Sequence, residues 1–401
     1  MKLNMLKSSA SSLFTSYLIS LSVLAGFCLG VSTARAGDWS LDARSTSKGD
    51  LYDNYYLKPN PDGFVFGSSS NINVDLIHKS AIDRFDLIGD LGYQSYLGTL
   101  QPNTMNRLTP NISAKYHLIG KTDSLDLSAG YTFGDVSAVD PLDPVALNKT
   151  LTRHFLSASG GYNRTLSPLV SVGVLASLQD VIYSDTSTGA KPSFTSNLST
   201  FLNYKLTKTT DLKTTVGGQW QSINDAQNSL NSSYWIRADI SSQLQKNLKF
   251  SLGGGPRVSV NAFDDLILLS HPRISSTSLG WVADASLSYA MKSGSISATV
   301  SRSVDPDVLG NLQSRDNFVI SASQLINEES EFDVSAQYRV STSTVGVDQK
   351  TFLFSPVYRY QLARDWSLAA GYTFTWTDGN AGSARSDDIF LSVSRSFNLS
   401  P

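Results

Sequence analysis

The sequence predicts an all-β fold, a transmembrane antiparallel up-and-down β-barrel of about eighteen strands. Three observations predict it. Apolar and small polar residues alternate with period two over many runs, charged residues make up only 16% of the chain, and the connections alternate between short turns and longer loops.

The period-two pattern is clearest near the C-terminus. Leu368, Ala370, Tyr372, Phe374 and Trp376 are apolar, while Ser367, Ala369, Gly371, Thr373 and Thr375 between them are small or polar. Successive side chains of a strand point to opposite faces, so this run has one apolar and one polar face. The pattern recurs from Phe85 to Tyr93, Leu125 to Phe133, Tyr234 to Ile240, Leu279 to Tyr289 and Phe332 to Val340. Each run matches the ~9–11 residues with which a tilted strand crosses a bilayer. A soluble sandwich also alternates. Here the polar face is mostly Ser, Thr, Gly and Asn, and aromatics sit at the ends of the apolar face, where a membrane meets water. A β-propeller would need four strands per blade and a recurring blade motif, and neither is found.

Composition points the same way. A soluble protein is typically ~25% charged; at 16%, with many outward aromatics, this chain would aggregate in water. In a barrel the apolar side chains face lipid and the polar ones face the lumen. No run reaches the ~20 apolar residues of a membrane helix once the first 36 residues are set aside.

Those residues read as an export signal. Lys2 and Lys7 precede an apolar stretch from Leu13 to Val31, and Ala34-Arg35-Ala36 is a small-x-small cleavage site, which places the cut before Gly37. A retained anchor helix fits poorly with Ser16, Ser20 and Ser22 inside the stretch. The only cysteine, Cys28, lies here behind Phe27 rather than a small residue, which argues against lipidation. The expected organisation is therefore a signal peptide over 1–36 and one barrel domain over 37–401, in the outer membrane of a bacterium, against outer-membrane lipid and lipopolysaccharide. With no cysteine left, disulfides, thiolate metal sites and cysteine catalysis are excluded. The whole chain carries a net charge of −2, and the cut removes three cations, so nucleic acid is not an expected partner.

Short turns are expected at His78-Lys79-Ser80-Ala81, Gly120 to Asp123, Thr207 to Thr210, Gln245 to Asn247, Lys292 to Gly294, Asn327 to Glu329 and Ala363 to Asp365. Longer loops are expected at Gly134 to Thr150, Asp185 to Lys191, Asn261 to Ser275, Asp305 to Arg315 and Thr377 to Arg385. Short turns face the periplasm in outer-membrane barrels and long loops the exterior. The strand within Trp39 to Leu57 is the least regular, which makes sixteen the alternative even count, and a barrel of either size leaves an aqueous channel.

The phase opposite the apolar one predicts the pore lining: Asp90, Lys115, Asp126, Arg153, Lys213, Gln219, Arg237, Asp239, Lys249, Arg257, Asp284, Asp333, Arg339 and Arg359. Cations outnumber carboxylates in this set, which favours anionic or polyhydroxylated solutes weakly; residues paired across strands simply to line the wall fit the pattern too. Most aromatics lie on the apolar phase, although Tyr96 and Trp235 fall on this one, so the signal for a sugar-stacking track is weak.

Catalytic motifs are missing. His78 is followed by Lys79-Ser80, unlike a barrel phospholipase; there is no Gly-x-Ser-x-Gly and no metal spacing around His78, His117, His154 or His271. Asp264-Asp265 and Asp387-Asp388 are adjacent carboxylates in or beside loops. No enzyme, cofactor or metal is expected.

Tyr358-Arg359-Tyr360-Gln361-Leu362-Ala363-Arg364-Asp365-Trp366-Ser367-Leu368, Gly371-Tyr372 and Ser386 to Phe397 together resemble the closing strands of porin-like outer-membrane barrels associated with bacterial exopolysaccharide secretion. Asp53-Asn54 before Tyr55-Tyr56-Leu57, and Asp307-Val308-Leu309-Gly310, are similar to steps of that family. The resemblance implies a channel or an accessory of polysaccharide export, working with envelope export components, and fixes no ligand residue. One departure is Arg395, which interrupts the apolar alternation of Ile389, Leu391, Val393 and Phe397, with Asn398 to Pro401 following the expected terminal Phe. Three functions follow: an open porin-like channel, a closed or plugged barrel acting as a structural or adhesive protein, and a barrel hydrolase.

Overall fold

The computed structural model describes residues 38–55, 57, 59–61, 63–98, 105–135, 152–184, 191–224, 229–264, 273–306, 312–343, 348–379 and 382–398. The expected signal peptide, the Gly134–Thr150 loop beyond residue 135, and the Asp307–Gly310 step lie outside them.

The strands follow one another round a ring. They are β1 (Asp38–Tyr52), β2 (Val65–Lys79), β3 (Asp83–Gly98), β4 (Met105–Ile119), β5 (Asp123–Asp135) and β6 (Thr152–Ser167). Next come β7 (Val170–Tyr183), β8 (Ser193–Lys205), β9 (Thr210–Ile223), β10 (Leu230–Gln245), β11 (Leu248–Asp264) and β12 (Arg273–Ala290). The last are β13 (Gly294–Pro306), β14 (Leu312–Leu325), β15 (Ser330–Ser343), β16 (Asp348–Ala363), β17 (Trp366–Gly379) and β18 (Gly382–Asn398). Each strand pairs antiparallel with its sequence neighbours, and β1 pairs with β18, so the 18-stranded sheet closes and every strand has a partner on both sides. The first strand, the least regular in sequence, is a full member: it runs from Asp42↔Asn398 to Tyr52↔Asp388 against β18. Asp53-Asn54 latches that closure. Asp53 Oδ1 accepts the Asp387 amide at 2.7 Å, and Asn54 Nδ2 donates to the Arg385 carbonyl at 2.8 Å.

Which face is outside is decided by crowding. Directly opposite residues in a ladder share a face, so the apolar phase can be followed from Leu368↔Val393 through Ser47↔Val393, Leu41↔Leu76 and Leu76↔Leu87 round to Tyr360↔Leu368 without a break. Side chains on the concave side of a closed ring converge and those on the convex side diverge. The buried polar residues Thr215, Gln221, Asn231, Ser259, Gln349 and Thr351 all belong to the polar phase, whereas Leu91, Ile236, Leu252, Ile320 and Leu391 are exposed on the apolar one. The polar phase therefore faces inward, the reverse of a soluble β-sandwich.

The outward face is an apolar belt with aromatic edges. On β17 it runs from Trp366 to Trp376, which at ~3.4 Å per residue and ~40° tilt is about 26 Å, close to the ~25 Å band of a membrane barrel. At the short-turn rim tyrosine hydroxyls reach the turns: Tyr162 to Asp123 at 2.9 Å, Tyr360 to Glu329 at 3.1 Å and Tyr358 to Ser330 at 3.0 Å. Arg395 lies at this rim, its guanidinium 5.2 Å over the Trp366 ring and 4.7 Å over Phe397. The departure from alternation is thus met by cation–π contact at the belt edge.

The short turns fall where expected, and one more, between Ser167 and Val170, joins β6 to β7. They close with local side-chain bonds: Ser80 Oγ accepts the amides of Ile82 and Asp83 at 3.3 and 3.1 Å, and Asn327 Oδ1 accepts that of Glu329 at 2.9 Å. At the opposite rim the expected loop from Thr377 to Arg385 is a correction. β17 and β18 run through most of it, joined at positions 380–381, with Gly382 taking φ +102°. Trp376 Nε1 bonds Ser383 Oγ at 2.9 Å, so the ladder extends where Asp, Gly and Asn suggested a loop. The expected loops at Asn261–Ser275 and Asp305–Arg315 are likewise shortened at both ends by strands.

Glycine is required where β10 approaches β11. A Cβ on Gly255 would lie 1.9 Å from the Ile236 carbonyl oxygen and 2.8 Å from the Arg237 Cα, both backbone. Gly255→Ala is expected to destabilise the barrel by roughly 1–3 kcal/mol, read as a lowered urea midpoint after refolding into vesicles. Gly89→Ala is the control, because a Cβ there meets nothing within 4 Å.

Candidate pore lining

All fourteen residues singled out from the sequence fall on the inward phase of the closed register. The structure draws them into local groups.

The densest group spans β9 to β12. Lys213, Asp239, Gly253 and Asp284 lie in one cross-strand row. Arg237 Nε donates to Asp239 at 2.9 and 3.0 Å, and its Nη2 reaches on to Asp284. Gly253 makes this bridge possible, since a Cβ there would collide with Asp239 and the Arg237 guanidinium. Lys213 Nζ sits 4.5 Å over the Phe201 ring. Lys249 faces Gln243 and Ser288 in the same wall. One step toward the other rim, Arg257 donates to Gln219 at 3.1 Å and stacks 5.8 Å from Trp235.

A second group lies on β3 to β5. Asp126 bonds His117, Lys115 faces Asp86, and Asp90 accepts Asn71 Nδ2 at 2.8 and 3.0 Å. A depression of about 630 Å³ opens beside His117 and is bordered by Leu175 and Asn197. A third group is Arg359 with Asp333, and with Glu331 at 3.6 Å. Arg339 lies between Asn317 and Thr351, and Arg153 stacks 5.4 Å from Phe155.

Several inward charges were not singled out from the sequence, among them Lys48, Asp50, Asp86, Glu331 and Asp388. Lys48 pairs with Asp50, and both Asp50 and Asp388 are buried. The alternation of β1 and β18 carries the signal, but a weak first strand and the loop reading next to Asp388 hid it. These residues add one cation and four carboxylates, which cancel the surplus of cations among the fourteen. Asp387 and Asp388, adjacent in sequence, stand on opposite faces: Asp387 accepts the Tyr372 hydroxyl outside, while Asp388 faces the lumen.

The three described histidines lie apart from one another. His78 stacks on Trp39 at 4.6 Å and His154 bonds the Tyr131 hydroxyl at 2.9 Å, both on the outward phase. His117 is oriented by Asp126, but the nearby hydroxyls of Ser128 and Ser159 bond each other at 2.7 Å. His271 lies outside the described residues. No group of three metal-ligating residues occurs among the described residues.

No known protein family matches the chain, and no curated protein does. Solved structures do. OccK5 (OpdH) of Pseudomonas aeruginosa aligns at 11% identity over 90% of this chain and 98% of its own, with a TM-score of 0.46. OpdK of Pseudomonas aeruginosa, determined with vanillate, aligns at 12% identity over 90% and 99%, with a TM-score of 0.44. The copper transporter OprC aligns at 10% identity over 87% and 62%, with a TM-score of 0.49.

Proposed function

We propose that this chain is a bacterial outer-membrane channel whose water-filled lumen passes polar solutes. One observation carries the reading: a closed ring of eighteen strands turns its charged and hydroxyl-bearing phase inward. At ~4.8 Å between strands and ~40° tilt, such a ring is about 36 Å across at the backbone, too wide for side chains alone to fill. Both described termini, Asp38 and Asn398, lie at the short-turn rim. We place that rim in the periplasm, with a leader over 1–36 cleaved before Gly37 and the other rim among lipopolysaccharide. The fourteen residues named above, with Lys48, Asp50, Asp86, Glu331 and Asp388, are the proposed lining. The resemblance of Tyr358 to Leu368 and Ser386 to Phe397 extends the proposal to polysaccharide or its oligosaccharides as cargo, in association with an exopolysaccharide system.

Purified protein in a planar bilayer is expected to give stable, stepwise conductance with little charge preference, because the nine cations and nine carboxylates of the proposed lining balance. A folded barrel that stays silent overturns the channel and favours a closed structural or adhesive protein.

A further inference from the structure

Between β12 and β13 the ladder breaks off at membrane depth; the β4–β5 ladder also ends early, at Asn111↔Thr132. From Ala290 upward, β12 pairs with β13 as far as Ala283↔Arg302, and among the described residues no pairing between them is formed above that point. The β12 ladder to β11 continues to Asp264↔Arg273 on its other side, and β13 pairs with β14 to Pro306↔Leu312. A notch therefore opens toward the long-loop rim. It begins inside the apolar belt, because Trp281 and the fully outward Leu279 still belong to the run that starts at Tyr289.

Backbone groups without ladder partners are tolerated at this depth only where they are buried in protein or line a water-filled cavity. A cavity of about 340 Å³ occupies the notch. Arg257 and Gly280 border it from the inward phase, and Leu279, Trp281, Arg302 and Val304 from the outward phase. Such a volume suits a small ligand. Arg302 is itself unusual, a cation on the lipid side held by Asp316 at 3.2 Å and stacked 4.6 Å over the Trp281 ring. The cavity thus has a guanidinium on each side of the wall, Arg257 from the lumen and Arg302 from the outward side, with Leu279 and Val304 beside Arg302.

We propose that this notch is a lateral port. Through it a single-chain anionic amphiphile passes between the lumen and the outer half of the hydrocarbon layer, its head between Arg257 and Arg302 and its chain along Leu279 and Val304. The proposal rests on the open lumen of the channel reading. Guanidinium groups match a carboxylate or sulfate head, and two flanking apolar side chains leave room for one chain rather than several.

Laurate is the probe. Added to single channels in a planar bilayer, it is expected to reduce the time-averaged current of the native protein. A Cβ at position 280 would lie 4.0 Å from Val304 Cγ2, so Gly280→Cys with Val304→Cys allows the notch to be tied. The oxidised pair is expected to conduct as before but to lose the laurate effect, which reductant restores. Gly280→Phe, which fills the notch without a cross-link, is expected to lose it as well. In parallel, a diazirine-bearing laurate should label Ser278 to Trp281 in a way that excess plain laurate competes away. A laurate effect that survives in both closed variants overturns the port. A protein that conducts but is neither blocked nor saturably labelled overturns the port alone. One that takes the label without conducting overturns the port together with the channel.

Discussion

Ile320→Arg lowers the stability of the barrel in phospholipid vesicles by about 2–4 kcal/mol, whereas Ser321→Arg leaves it within about 1 kcal/mol. The two positions are adjacent on β14 and equally deep, so only the face differs. Ile320 lies opposite Ala298 and Ala336 on the apolar phase, near the middle of the belt, and is exposed. An arginine there must reach to one interface along its own side chain or draw water into hydrocarbon. Ser321 lies between Ser297 and Ser335 on the other phase, its hydroxyl 2.7 Å from that of Ser297. An arginine there gives up one hydroxyl contact and extends into water. Urea midpoints of the two variants after refolding into vesicles decide the matter. A larger loss for Ser321→Arg would mean that the inward and outward faces have been exchanged, and equal losses that the two faces do not differ in what they meet.

Much of this contrast is legible before any coordinates, because a strand repeats every two residues and a barrel wall has lipid on one side and water on the other. Leu368 to Trp376 announces both faces in nine positions, and the closed register propagates them round the ring. Legibility fails where side-chain identity stops reporting the environment. Thr377 to Arg385 has the residues of a loop, yet its ladder continues because strands extending beyond the membrane face water on both sides and need no apolar phase. Asp388 was obscured by the same passage. The groups of the lumen wall were invisible for another reason. Arg237 and Asp284 are far apart in sequence, and only the stagger of β10, β11 and β12 brings them together over Gly253. A glycine in a strand reads as a weak point until the guanidinium that crosses it is seen. The notch beside β12 leaves no mark in the alternation at all, since Leu279 and Trp281 keep the phase whether or not β13 pairs with them.

Arg237→Ala shifts the channel toward cations by roughly two- to threefold in permeability ratio at 0.1 M salt, and the shift fades at 1 M as the Debye length falls from ~10 Å to ~3 Å. Asp239 and Asp284 each take a hydrogen bond from this one guanidinium and have only Gly253 between them in the row. Removing it exposes two carboxylates to the lumen, with Lys213, drawn over the Phe201 ring, as the nearest cation of the row. Arg237→Lys separates charge from geometry. An ammonium keeps the net charge but cannot bridge both carboxylates with a planar fork, so selectivity should stay near native while the gating noise of the open level rises. Gly253→Ala attacks the bridge from the other side, because its Cβ would displace the Asp239 carboxylate from Arg237. It is expected to move selectivity in the same direction as Arg237→Ala, by a smaller amount, with the arginine still present. Reversal potentials in a salt gradient measure all three. A channel whose selectivity ignores Arg237→Ala and Gly253→Ala alike would mean that permeating ions do not pass this wall.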